Sequence, residues 1–243
     1  MSESFDYGKW KAKLLFEPGR YEFLHHYVSD DNALMEHAKN YQLTELSENG
    51  EAFVKEVSDV SEKFRRLIIN NITEGVTEAL DTLSRQMLVV SVSFIEGIID
   101  EFFQCLFHKH PGRMHDFLSW NQESPKGWIP IKVLLESADK DKAIDALVRI
   151  SCDTVTSGEI GKIIKRIERL GKTEICSDLK LKLAELFKVR NLIVHERYEP
   201  DLNKKHILYN FEIVEDLLRS LSVVLIENNV RVNDPTGYLE KAS

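Results

Sequence analysis

The chain has 243 residues, enough for one large domain or for a core with an appended helical region. With 43% hydrophobic and 30% charged residues, its composition is that of a folded globular chain and excludes disorder. A net charge of -8 excludes a protein that coats nucleic acid through bulk electrostatics, but not an enzyme that grips one phosphate locally.

In chain order, a first helical stretch is expected over roughly 31–47, closed by Gly50. Phe53, Val57, Val60, Phe64, Leu67 and Ile68 then recur at helical spacing, so 51–70 reads as an amphipathic helix. A long run over 74–109 carries Val76, Leu80, Leu83, Met87, Val90, Ile95, Ile98, Phe102 and Leu106, with Asn71 or Thr73 as its cap. Its middle is apolar nearly all round, which predicts a central helix, and Pro111 and Gly112 end it. The segment 111–125 reads as loop, and shorter helices follow at about 128–137, 140–151 and 157–170. Ile160, Ile163, Ile164 and Ile167 form the buried stripe of the last, and Gly171 is placed as its stop. A helix from Ser177 or Asp178 shows Leu179, Leu183, Leu186 and Phe187 on one side. After a polar loop, 196–206, a final helix aligns Ile207, Phe211, Val214, Leu218, Leu221 and Leu225. No segment alternates convincingly with period two, so the expected fold is all-α, an antiparallel helical bundle. Residues 1–72 read as an N-terminal helical extension, and 73–243 as the bundle with an insertion-like segment at 110–176.

Residues 1–13 lack the apolar core of a signal peptide, and no stretch reaches the roughly 18 apolar residues of a membrane helix. A cytoplasmic chain with no membrane partner is therefore expected. Cys105, Cys152 and Cys176 are widely spaced and read as free thiols. His25, His26, His37, His108, His110 and His115 have no zinc-like pairing with cysteine, so no metal is expected. No phosphate-loop, dinucleotide or nucleophile-elbow motif stands in a supporting context, and no cofactor is expected.

One residue does not fit a bland bundle. Projected at ~100° per residue, Leu179, Leu183, Leu186, Phe187, Ile193 and Val194 share an arc with Arg190 at its middle. A guanidinium there is costly unless it is paired or faces a ligand. Glu96 and Asp100, which share a face one helical turn apart, are the candidate partners.

His195 lies five residues beyond Arg190, and Asn191 lies beside the arginine. The string Arg190-Asn191-Leu192-Ile193-Val194-His195, closing an amphipathic helix, resembles the R-x4-6-H signature of the HEPN superfamily, in which a polar residue usually follows the arginine. The lead-in Leu183 to Val189 is similar to the approach to that motif. The stretch Ser91 to Phe103 is similar to an early core helix of HEPN proteins of the RiboL-PSP type, where small residues and one acidic residue interrupt an apolar helix. With the core helices around them, these segments cover about half of the chain; residues 1–72 and 110–176 carry no resemblance.

The resemblance implies RNA cleavage without metal, by attack of a ribose 2′-hydroxyl on the adjacent phosphate. His195 would serve as general base, Arg190 would hold the phosphate, and Asn191 would orient either of them. Glu96 and Asp100 would support Arg190. A toxin or antiviral-defence role, an RNA substrate, and an antitoxin or regulatory protein partner belong to the same implication. The other reading is a non-catalytic helical module that binds RNA, a nucleotide or a protein.

Geometry narrows how such a site is built. Five helical steps turn ~500°, leaving the two side chains about 140° apart. Either the helix ends before His195, or the site is assembled from two chains about a twofold axis; the resemblance to HEPN proteins implies the second, a homodimer. Lys162, Lys165, Arg166, Arg169 and Lys172, and then Lys180, Lys182 and Lys188, offer RNA-facing charge or simply a solvated face.

Overall fold

A computed structural model of the chain describes residues 4–39, 42–46, 49–50, 52–57, 60–120 and 139–239. Eight helices dominate the described residues, with two small two-stranded sheets. The helices are α1 (Tyr7–Val28), α2 (Asp31–Lys39), α3 (Glu62–Lys109), α4 (Gly112–Trp120), α5 (Lys140–Val155), α6 (Ile160–Gly171), α7 (Ser177–Glu196) and α8 (Lys204–Glu227). The strands are β1 (Ser4–Phe5), β2 (Gln42–Leu46), β3 (Ala52–Glu56) and β4 (Arg231–Val232).

The fold is built around the second half of α3. Leu88, Val92, Ile95, Ile98, Ile99, Phe102, Phe103, Leu106 and Phe107 are all buried along one broad side of the helix, and Val90, Phe94 and Gly97 are half-buried on the other. A helix with so broad an apolar surface needs several neighbours to cover it, and α1, α5, α7 and α8 pack against it. The expected apolar stripes of α6 and α8 both face this core. Among the described residues, no helix is long and apolar enough to cross a membrane.

The N-terminal segment is tied to this core by one carboxylate. Glu101 accepts from the Asp6 backbone N–H at 2.9 Å, from the Trp10 indole at 2.8 Å and from Lys9 Nζ at 3.1 Å. Phe5, Tyr7, Trp10, Leu14 and Tyr21 are buried in the same cluster as the α3 residues. β1 pairs in parallel with β4, Phe5 opposite Val232. The 72/73 boundary expected from the sequence falls inside α3, because Ile69, Ile72 and Val76 continue one helical spacing across it.

Five other expectations change. The helix expected over 51–70 is divided: 52–56 pairs antiparallel with 42–46, and only Glu62 onward is helical. A spacing of four, as between Phe53 and Val57, is shared by a helix face and a strand face, so it does not discriminate them. The sequence signal that does is Asn49-Gly50, a hairpin dipeptide, with Gly50 at φ 80. The helical stretch expected to 47 accordingly stops at Lys39. Asn71 and Thr73 start nothing; Ser61 caps α3, its Oγ accepting from the Phe64 N–H, while Thr73 Oγ1 donates to the Ile69 carbonyl within the helix.

The loop expected over 111–125 is helical as far as Trp120, with Met114 and Phe117 buried one turn apart. The helix expected at 128–137 lies outside the described residues. Gly171 is the last residue of α6, not its left-handed stop; Lys172 takes that conformation, at φ 55. Glycine is required at 171 by packing, since a Cβ there would stand 2.8 Å from Val224 Cγ1. Cys105 and Cys152 are buried free thiols, both pushed well above the usual thiol range by that burial, and Cys176 is exposed.

Candidate functional site

The segment Arg190–His195 ends α7, which crosses α3, α6 and α8. Leu179, Leu183 and Leu186 are buried and fix which side of α7 faces inward. Phe187, Arg190 and Ile193 continue that side half-buried, and the arc opens to water at Val194, which is 47% exposed. The apolar face thus runs out near the motif, where the α7 C-terminus leaves the core.

Arg190 is held from two directions. Its Nη2 lies 3.7 Å from Glu96 Oε1, and its Nη1 donates to Asn191 Oδ1 at 3.0 Å. Nε is buried without a hydrogen-bond partner. Glu96 is therefore the carboxylate from the central helix that answers the guanidinium, as its helical placement suggested. The ion pair is long and Glu96 is half-exposed, so it orients Arg190 more than it neutralises it.

Asp100 does not reach Arg190. It accepts instead from Gln104 Nε2 at 2.7 Å, one turn along the same helix. Burial is the main cause that raises its carboxyl above the usual range, with the nearby Asp153 and Glu101 charges adding to it. Glu96 and Asp100 share the wall of a cavity of about 300 Å³ with Ile99, Thr156, Ile163 and Phe187. A raised native pKa means that folding loses stability as pH rises through it, because the unfolded carboxyl ionises more cheaply. Asp100→Asn is expected to raise Tm at pH 7–8 and to leave it unchanged well below pH 4; melts across that range check the sign.

His195 is exposed, as is Asn191. The helix does not end before His195: it continues to Glu196, and Arg197 turns left-handed at φ 53, its N–H donating to the Leu192 carbonyl. Of the two arrangements that the spacing suggested, a helix that ends before His195 is not the one observed. On an unbroken helix, Arg190 points toward α3 and His195 toward solvent about 140° away. Below His195, Arg85 pairs with Glu199 at 3.0 Å and Lys204 with Glu22 at 2.6 Å, which fastens the turn after α7 to α3 and α1.

Some of the basic residues are engaged within the chain. Arg166 Nη1 donates to the carbonyls of Val155 and Ser157, closing the end of α5. Lys180 pairs with Glu168 and Lys182 with Asp178. Lys162, Lys165 and Lys188 are exposed. The histidines lie apart: His110 meets the Asn228 carbonyl at 2.7 Å, and His108 lies 3.7 Å from Asp145. Among the described residues, no three histidine, cysteine or carboxylate side chains gather as a metal site would require.

Sequence reasoning passed over Glu101 and Asn228. Glu101 was visible only as a neighbour of Asp100, yet it anchors α1. Asn228 donates to the Gly171 and Val224 carbonyls and accepts from Arg113, joining the ends of α6 and α8 to the start of α4. An asparagine directly after a long helix was the available signal, since that is where capping side chains occur. Comparison of the chain with protein-family models, with curated proteins and with solved structures finds no match in any of the three.

Proposed function

We propose that the chain is a metal-independent endoribonuclease of the HEPN kind, with a site composed from two copies. The observation that carries this reading is the pairing of an oriented, quarter-exposed Arg190 with an open His195 on one unbroken helix. That arrangement gives each chain a phosphate holder and a base that it cannot use together, and a twofold axis beside α7 supplies the missing half.

In this reading, His195 of one copy takes the proton of a ribose 2′-hydroxyl, and the freed oxygen attacks the adjacent phosphorus. The bond to the 5′ oxygen breaks and that oxygen takes a proton from solvent, giving a 2′,3′-cyclic phosphate and a 5′-hydroxyl end. Arg190 holds the phosphate with charge-assisted bonds and offsets the charge that grows in the transition state. Asn191 already fixes one guanidinium nitrogen, which lowers the cost of aligning it. With the chain acidic overall, RNA contact is local and favours single-stranded or loop RNA. A toxin or antiviral-defence role, restrained by an antitoxin or regulatory protein, belongs to the same proposal.

A non-catalytic binding module is the second reading. It is favoured by one observation: Arg190 spends its Nη groups on Glu96 and Asn191 of its own chain. Incubation of labelled, mixed-sequence RNA with purified protein in EDTA separates the two. Wild type is expected to leave cyclic-phosphate ends, and His195→Ala to be slower by roughly 10²–10⁴, the usual worth of a positioned base. Intact RNA with a folded wild type favours the module. Equal cleavage by wild type, Arg190→Ala and His195→Ala removes the site altogether.

A further inference from the structure

The cavity of about 300 Å³ beside Arg190 combines two kinds of wall that a packing gap in a bundle does not need. Phe187 supplies an aromatic ring and Ile99, Ile160 and Ile163 an aliphatic lining, while Glu96 and Asp100 supply carboxylates. An apolar pocket with a few converging polar groups is the usual form of a ligand site, and this one is at the small end of the range. Its rim is pre-formed. Arg166 holds the turn after α5 by donating to the Val155 and Ser157 carbonyls, and Gly158 takes φ 98 there. Asp100 weakens the fold where it stands, since burial raises its carboxyl above the usual range. A carboxylate kept in a cleft at that cost points to function.

The surroundings select the class of ligand. Among the described residues, no three potential ligands gather for a metal ion. Arg190 lies 3.7 Å from Glu96, and its charge disfavours an organic cation in the same space. What fits is a flat, neutral molecule with apolar faces and N–H donors on its edge, which describes a nucleobase. Asp100 then selects among the bases. Ionised, it offers two acceptor oxygens; Gln104 donates to Oδ2, but each oxygen has a second lone pair. Guanine alone carries two adjacent donors, N1–H and the N2 amino group, on one edge. Adenine and cytosine set a single donor beside an acceptor, and uracil sets one donor between two acceptors. The remaining edge atom of guanine, O6, is an acceptor. The cavity also borders the start of α6, where Glu159 makes no side-chain cap and N–H donors await a partner.

We infer that this cavity seats a guanine of the RNA next to the scissile phosphate, with Asp100 accepting from its N1–H and N2 amino edge and Phe187 against its face. That the guanine belongs to RNA rests on the ribonuclease reading; that a guanine fits rests on the cavity. Glu96 joins the two parts, lining the cavity while it orients Arg190. Asp100 lies one turn further along α3, about 5.4 Å of rise, so one short stretch of RNA reaches both. Asp100 thereby has a role in choosing the base rather than in supporting Arg190, which it does not touch.

Binding of guanosine, inosine, adenosine and cytidine 3′-monophosphates, read by NMR of the isoleucine methyl groups in the full chain, tests this without any cleavage. All four share the phosphate, so differences report the base, and inosine lacks only the N2 amino group of guanosine. Wild type is expected to bind the guanosine nucleotide roughly 5- to 150-fold more tightly than those of adenosine and cytidine, the worth of a bidentate base contact. The inosine nucleotide should fall between, and the methyls of Ile99, Ile160 and Ile163 should shift. Asp100→Asn, with Tm recorded to confirm folding, is expected to lose the preference, because an amide pairs a donor with an acceptor. Cleavage of mixed-sequence RNA is expected to map to guanines. Equal or absent binding of the four, or shifts confined to other isoleucines, overturns the guanine site. Cleavage at every base alike would then leave the ribonuclease reading standing. Guanine preference at these methyls with RNA left intact keeps the pocket and removes the nuclease.

Discussion

Mixing Arg190→Ala chains with His195→Ala chains is expected to restore RNA cleavage that neither supports alone. The expectation follows from the continuity of α7 through Glu196, which separates the two side chains around one helix. If a site takes Arg190 from one copy and His195 from the other, each mixed dimer holds one intact site and one doubly empty site. Random exchange makes half of the dimers mixed, so about a quarter of the wild-type sites return under twofold symmetry. Against backgrounds lowered by roughly 10²–10⁴, that recovery is large and is read directly from a cleavage time course. An inactive mixture, with exchange confirmed by mass, would mean that both residues of one site come from a single chain or that a site requires all four. The first outcome also requires local unwinding of the end of α7, which hydrogen exchange of the Val194 and His195 amides would register.

The second large effect concerns how the N-terminal helix is held. Trp10 is buried, stacks edge-on against Phe94 with ring centroids 6.1 Å apart, and donates to Glu101. Its ring lies on Gly97 of α3, where a Cβ would stand 2.7 Å from Cη2. Trp10→Ala is expected to cost about 3–5 kcal/mol, the range for removing a large buried aromatic. Gly97→Ala in the wild-type background forces the ring outward and is expected to cost about 1–3 kcal/mol. Once the ring is gone the clash is gone too, and alanine is the better helix former by about 1 kcal/mol. Gly97→Ala should therefore destabilise wild type but stabilise Trp10→Ala, a coupling of roughly 2–4 kcal/mol. Urea denaturation of the four proteins measures it. Additive effects would show that Trp10 does not lean on Gly97.

Both expectations rest on features that the sequence displays unevenly. The stripes of α6 and α8 were legible because each helix has one face in the core, and a one-sided helix writes its geometry into a 3.6-residue period. The central part of α3 was legible because its apolar residues cover an unusually broad side of the helix. The start of α3 was not legible. Local spacing there is shared by strand and helix, and the hairpin of 42–46 with 52–56 depends on a turn signal, Asn49-Gly50, weighed only as a break. The end of α6 was misplaced because a glycine has two uses, a left-handed turn or a close contact, and only the position of Val224 decides between them.

The candidate site divides in the same way. By itself, the sequence determined a largely helical chain, a guanidinium within an apolar face, and a histidine five residues further on. These are properties of residue order along one helix, and the period of the helix carries them. Only the tertiary structure decided that Glu96 rather than Asp100 reaches Arg190, that Glu101 holds α1, and that α7 continues past His195. Each of these depends on how far one helix is turned and shifted against another. A turn of the helix changes a carboxylate's partner without changing the apolar pattern, so the sequence period cannot encode it.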